Sequence, residues 1–326
     1  MKKALLLGLV LLVVAFGLSA GGQRATDEIT IGLSYDNLES QFWLANYNGL
    51  MAYVEQLGGI RIVEVIADGD AARQNEQIET LIARGVDAII CAPVDGDAIV
   101  AGVRSANDAG VPFITNNRAA SGGDVAFNMA SDNTAMARRL AEAALEWAKD
   151  QGSRQNVLLF VGDLGDVNAV LRDQGFMEVI EANPEWLNLV AKVPTEWNPE
   201  LAYGGAVNAF EAHDINIVMA PSDFLLPAIK SAMQQQDVWH QYDHPDHVFY
   251  ATLDGAEDAL DEIAAGYVDI VSVQDAISTA ERCVDAAVTL AQGGTLPSRD
   301  VKDPGFEVTR DNFDEMAYQA WGYVDR

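Results

Sequence analysis

The chain has 326 residues, 49% of them hydrophobic, and 49 acidic against 20 basic side chains give it a formal charge of −29 at pH 7. Single cores stop growing near about 250–300 residues, so a chain of this length predicts two domains. The charge, with no run that gathers Lys or Arg, excludes the electrostatic footprint of a nucleic-acid or anionic-membrane binder.

Residues 1–20 have the layout of a cleavable secretory signal: Met1-Lys2-Lys3, an apolar run from Ala4 to Leu18, then Ser19-Ala20-Gly21. The run is too short for a comfortable membrane span. Cleavage is expected after Ala20, with export to the periplasm and, lacking a Cys at the cleavage region, no lipid anchor. Losing Lys2 and Lys3 takes the formal charge from −29 to −31.

From Ile29 the sequence repeats a β-branched run, a polar turn and an amphipathic stretch. Strands are predicted at Ile29–Leu33, Arg61–Ala67, Ala88–Cys91 and Pro112–Thr115, with helices near 41–57, 71–84 and 96–109. After Ser131 the pattern restarts. Strands at Asn156–Val161, Leu187–Val193, Ile215–Met219, Val248–Ala251 and Asp269–Val273 alternate with helices near 134–149, 168–182, 199–212, 223–235 and 256–265. Such alternation predicts an α/β fold of two Rossmann-like lobes, each a parallel sheet with helices on both faces. A helix over 275–291 that returns to the first lobe, and a strand at Phe306–Thr309 that returns to the second, would leave three crossings near 117–131, 274 and 303–305. This hinge divides the chain into 27–128 plus 275–303 and 129–274 plus 304–326.

Ligands of open α/β sheets bind beyond the carboxyl ends of the strands. Here those positions hold Ser34, then Phe42 and Trp43 opening the first helix, and Asn117-Arg118 in VPFITNNR. In the second half they hold Arg172, Trp197, Ser222-Asp223, Asp254-Gly255 and Gln274. Planar groups that donate and accept, interleaved with rings, suit a sugar: hydroxyls take charge-assisted bonds while C–H faces stack on aromatics. No phosphate loop, nucleophile elbow or Cys-His arrangement is present; GDLGD at 162–166 lacks the Lys-Ser/Thr of a nucleotide loop. Cys91 and Cys283 read as small buried hydrophobes, although an oxidising compartment would permit a disulfide. His240, His244 and His247, with Asp243 and Asp246, have spacings compatible with metal ligation, but Pro245 breaks any helix that would align them, so a polar loop without metal is expected.

Together, IGLS with Phe42-Trp43, VPFITNNR, ASDN at 130–133, LRDQGF at 171–176, the Trp197 loop, Pro221-Ser222-Asp223, LDG at 253–255 and Val273-Gln274 resemble the ribose-binding-protein group of periplasmic sugar-binding proteins, over residues 27–326. The resemblance implies a receptor that closes on a small carbohydrate, a monosaccharide or related polyol, and delivers it to an ABC transporter permease. It would act as a monomer, without catalysis or cofactor. Phe42, Trp43 and Trp197 would stack on the ring. Arg118, Arg172, Asp254 and Gln274 would bind hydroxyls, with Asn117 and Ser222 completing the shell and Ser34 at its edge. The chain departs from the group's pattern in having Asn117 for Asp, Ser222 for Asn, and a longer loop over Tyr35–Gln41. Asn117 and that loop are also similar to a periplasmic receptor for a furanosyl signal, so a sensory receptor acting on a membrane kinase is the alternative. A metal-dependent hydrolase built on the His cluster is a third reading.

Overall fold

The computed structural model describes residues 28–323, and the expected signal sequence lies outside them. The chain begins β1 (Ile29–Tyr35), α1 (Gln41–Leu57), β2 (Ile60–Ile66), α2 (Ala71–Ala83), β3 (Ala88–Cys91), α3 (Val100–Asp108), β4 (Phe113–Asn117) and β5 (Phe127–Ser131). It continues through α4 (Asn133–Gln151), β6 (Gln155–Val161), α5 (Val167–Ala182), β7 (Leu187–Pro194), α6 (Pro199–Ala212) and β8 (Ile217–Met219). Then come α7 (Leu226–Gln235), β9 (Phe249–Asp254), α8 (Glu257–Ala265), β10 (Ile270–Val273), α9 (Ala276–Ala291), β11 (Asp300–Asp303), β12 (Phe306–Thr309) and the short α10 (Phe313–Met316).

Two six-stranded sheets result, ordered β11-β5-β4-β3-β1-β2 and β12-β10-β9-β8-β6-β7. The first is parallel throughout, and in the second only β12 runs antiparallel. Helices cover both faces, so central strands are buried on both sides and read as continuous apolar runs. All four residues of β3, Ala-Ile-Ile-Cys, are buried. Helix starts are fixed by short polar caps: Asp70, Asp132, Asp166, Asn198 and Asp275 each accept backbone N–H groups of the following turn.

The return of α9 to the first lobe is observed, against α1, β3, β4 and β5. Two strands were not expected. β5 and β11 pair at the edge of the first sheet, so Met129, Ala130 and Ser131, assigned from the sequence to the second lobe, stand on the first sheet, and the first crossing is confined to Asp132. The three crossings touch. Asp132 N donates to Asp303 O at 2.7 Å and Asp275 N to Asp303 Oδ2 at 3.2 Å. Gly305, at φ +64°, lies so close to Val273 that a Cβ would come 2.7 Å from its carbonyl oxygen.

Cys91 and Cys283 are both free and buried. Cys91 packs with Ile78, Leu81 and Ile89 on one face of the first sheet, and Cys283 with Leu33 and Ile90 on the other. The sheet itself separates the two thiols. Burial pushes the Cys91 pKa up to about 12 and raises that of Cys283 as well.

Candidate ligand-binding cleft

The strand ends of the two sheets face one another across a cleft of about 530 Å³, open solvent at its mouth included. On the first lobe, Ser40 caps α1 and so places Phe42 and Trp43 at the cleft in its first turn. Their rings meet edge to face, 5.2 Å between centroids, and the Arg118 guanidinium lies 5.2 Å from the Trp43 ring centre. Arg118 Nη1 donates to Asp36 Oδ2 at 2.7 Å and to Pro93 O at 3.2 Å. Its Nε stands 2.8 Å from Asp166 Oδ2 of the second lobe, an ion pair whose angle falls short of a hydrogen bond. Burial opposes the charge on Arg118, but Asp166 and Asp36 outweigh it and raise its pKa.

On the second lobe, α5 presents Asn168 and Arg172 one turn apart on one face. Arg172 Nε donates to Asn133 Oδ1 and Nη1 to Pro221 O, each at 2.7 Å, and Nη2 pairs with Asp254 Oδ1 at 3.2 Å. The Trp197 indole lies over the end of β6, where a Cβ on Gly162 would sit 2.3 Å from the ring. Its Nε1 donates to Asp166 Oδ2 at 3.1 Å. Ser222 Oγ donates to Asp254 Oδ2. Asp223 Oδ2 accepts Gly255 N and Ala256 N at 2.8 and 2.7 Å, bracing the turn that carries Asp254.

Amides join the two sides. Asn133 Nδ2 donates to Asn168 Oδ1 (3.0 Å), Asn168 Nδ2 to Asn117 Oδ1 (2.7 Å), Asn117 Nδ2 to Gln274 Oε1 (3.0 Å) and Gln274 Nε2 to Asp254 Oδ1 (2.6 Å). Arg172 closes the ring, donating to Asn133 on one side and pairing with Asp254 on the other, so that both donor paths run from Arg172 and end on the Asp254 carboxylate. Asn117, Trp197 and Asp254 all have positive φ, at 65°, 55° and 111°. Such backbone strain costs of order 1–3 kcal/mol per residue and gathers at functional sites.

Of the residues chosen from sequence, Phe42, Trp43, Asn117, Arg118, Arg172, Trp197, Ser222, Asp254 and Gln274 line this one cleft. Ser34 does not. It is fully buried beneath the strand end, where its Oγ accepts from Gln74 Nε2 at 3.3 Å, because the alternation of β1 turns it toward α2. Sequence reasoning missed Asp36, Asp166 and Asn168. The signal for the last two was present in Asp166-Val-Asn168, a helix cap at a strand's carboxyl end. The His240 and His244 rings stack on each other at 4.0 Å. His247 engages both ring nitrogens, Nδ1 with His240 O at 2.8 Å and Nε2 with Asp269 at 3.1 Å. Among the described residues no group of His, Cys, Asp and Glu is arranged to hold a metal.

The chain is 27% identical over 301 residues to a putative rhizopine-binding protein of Rhizobium meliloti, covering 88% of this chain and 92% of that one. It is 28% identical over 315 residues to a xylitol-binding protein of Mycolicibacterium smegmatis, covering 92% and 84%. Among solved structures, an ABC transporter solute-binding protein of Bacillus halodurans with bound myo-inositol superposes with a TM-score of 0.82 at 26% identity, over 91% of this chain and 99% of that one. Residues 31–295 match the family model described as the periplasmic binding protein domain. The paired parallel sheets, the three crossings and the match over most of the chain agree: this chain belongs to the periplasmic binding protein family.

Proposed function

We propose that the protein is the solute-binding component of an ABC transporter, a periplasmic receptor whose lobes close on a small carbohydrate or polyol and present it to a membrane permease. The observation that carries this reading is the convergence, from both lobes, of Asn117 and Arg118 on one side and Asn168, Arg172 and Asp254 on the other, between the rings of Phe42, Trp43 and Trp197. Guanidinium, amide and carboxylate groups together match hydroxyls, which both donate and accept. The rings supply faces for C–H patches. Relatives named for ribose, xylitol and rhizopine, and the solved relative holding myo-inositol, support the ligand class. The work is binding and release, driven by the ligand's preference for the closed state.

A thermal-shift screen of pentoses, hexoses and cyclic and linear polyols tests it. A true ligand at 100 times its Kd stabilises the folded state by about 2.7 kcal/mol, and small-angle scattering should then report a smaller radius of gyration. No stabilisation by any compound of these classes would end the reading. Stabilisation without compaction would place the ligand on one lobe alone.

A further inference from the structure

Besides the three crossings, two turns of different lobes touch backbone to backbone. Gly96 N, in the turn after β3, donates to Gly165 O, in the turn after β6, at 3.2 Å. The first turn is fixed within its own lobe. Gln74 of α2 holds it from below, Oε1 accepting Val94 N at 2.8 Å and Nε2 donating to Ala92 O at 2.9 Å, while Gly96 O accepts Ser121 N at 2.9 Å. Asp95 Oδ1 accepts Asp97 N and Ala98 N at 2.8 and 2.7 Å, so its carboxylate is not free to swing. The other oxygen faces the second lobe. A Cβ on Gly165 would stand 2.7 Å from Asp95 Oδ2, and 3.2 Å from Asp163 Oδ1 of its own turn. Gly165 is not in the left-handed region, where glycine is favoured for its own backbone. The tighter demand for glycine therefore comes from the opposite lobe.

The same two turns carry the charges that meet across the cleft. Asp166, next to Gly165, has Oδ2 at 2.8 Å from Arg118 Nε, and Arg118 Nη1 donates to Pro93 O in the Gly96 turn. A second contact between the lobes, Gln41 Nε2 to Asp258 Oδ2 at 3.1 Å, joins two exposed side chains. It lies on the other faces of the sheets: α1 and α8 pack opposite to α3 and α5. The cleft is thus bridged on both faces, by a side-chain pair on one and by main chain on the other.

We infer that the Gly96–Gly165 contact is a closure latch and that Gly165 is a positioning residue. Without a side chain it lets the second-lobe turn seat against Asp95, and this sets Asp166 at Arg118. Opening about the three crossings breaks the contact, because its halves belong to different lobes. The inference rests on the closing-receptor reading above and adds the place where shutting is secured.

Two sets of variants test it, with ribose, xylitol and myo-inositol as probes. In an Asp95→Cys, Gly165→Cys variant, a Cβ at residue 165 lies 3.5 Å from the position of Asp95 Cγ, close enough for a disulfide with little backbone movement. Mild oxidation should crosslink the chain internally, faster with a bound probe than without, and the oxidised protein should show a reduced radius of gyration with no probe added. Cys91 and Cys283 are buried and do not compete. Separately, Gly165→Ala should weaken the tightest-binding probe by about tenfold or more at an unchanged ligand-free melting temperature. Adding Asp95→Ser, which keeps a capping oxygen and clears Oδ2, should restore most of that affinity. Absence of the crosslink, a crosslink without compaction, a Gly165→Ala affinity equal to the wild type's, or a loss that Asp95→Ser does not relieve overturns the latch. A crosslink that compacts the chain while no probe binds the wild type would uphold the latch and count against the carbohydrate reading instead.

Discussion

Asp166→Asn removes the charge that joins the lobes. Asp166 does two jobs: Oδ1 caps α5 by accepting Asn168 N at 2.8 Å, and Oδ2 meets Trp197 Nε1 at 3.1 Å and Arg118 Nε at 2.8 Å. Asn is about as good a cap as Asp, so α5 should survive the exchange. What is lost is the ion pair with Arg118, whose side chains are 9% and 3% exposed, together with the bond from Trp197 Nε1, because the amide nitrogen that replaces Oδ2 cannot accept. Removing one partner of a buried pair costs about 3–5 kcal/mol when the other is stranded. Arg118 is not stranded, since Asp36 remains, so the loss is closer to that of one charged hydrogen bond, about 1.5–3 kcal/mol. Because the two groups belong to different lobes, an open molecule hydrates them separately and the cost falls on closure. Ligand affinity should therefore drop by about 10- to 150-fold, at about 1.4 kcal/mol per factor of ten, while the ligand-free melting temperature barely moves. Titration calorimetry beside a ligand-free melt reads both. Unchanged affinity, or an affinity loss matched by an equal loss of unfolding stability, would refute the assignment of Asp166 to closure.

Arg172→Ala should be more damaging, because it leaves the buried Asp254, still hydrogen-bonded by Gln274 and Ser222, without its counter-charge and removes the donors to Asn133 and Pro221; a loss of about 3 kcal/mol in urea unfolding is expected together with abolished binding. Gly162→Ala drives a methyl into the Trp197 ring, so affinity should fall and tryptophan emission shift, and normal values of both would mean the indole does not lie against β6. Burial works against a charged His247, but its hydrogen bond to Asp269 and that group's charge prevail, so its pKa is raised above 6.5. The proton is thus held more tightly folded than unfolded: the stabilisation is complete below about pH 6.5 and is lost as pH rises through the higher folded pKa. Urea midpoints from pH 5 to 9 should show this fall in the wild type and not in His247→Gln; identical pH profiles would exclude the pair as its source.

The framework was legible because burial on both faces writes itself into composition. β3 was predicted at Ala88–Cys91 and observed there, since a four-residue apolar run between polar turns has no other comfortable home. The helices over 41–57 and 199–212 likewise match α1 and α6, each announced by a cap, Ser40 and Asn198. β11 escaped notice for the opposite reason. Asp300–Asp303 is an edge strand, half-exposed, with charged residues at three of its four positions, so it leaves almost no apolar trace.

The site divides along the same line. That Arg118, Arg172, Trp197 and Asp254 belong to one cleft followed from the sequence, because every parallel strand delivers its carboxyl end to the same edge of its sheet. Only the tertiary structure decided that Ser34 turns away from the ligand space, that Asp36 and Asp166 neutralise Arg118 from opposite lobes, that Asn168 bridges to Asn117, and that a sheet stands between Cys91 and Cys283. Periodicity reports which face of its own element a residue occupies. Which distant residue it meets depends on how two lobes, joined among the described residues at Asp132, Gln274 and Pro304-Gly305, set their strand ends against each other, and no local pattern encodes that distance.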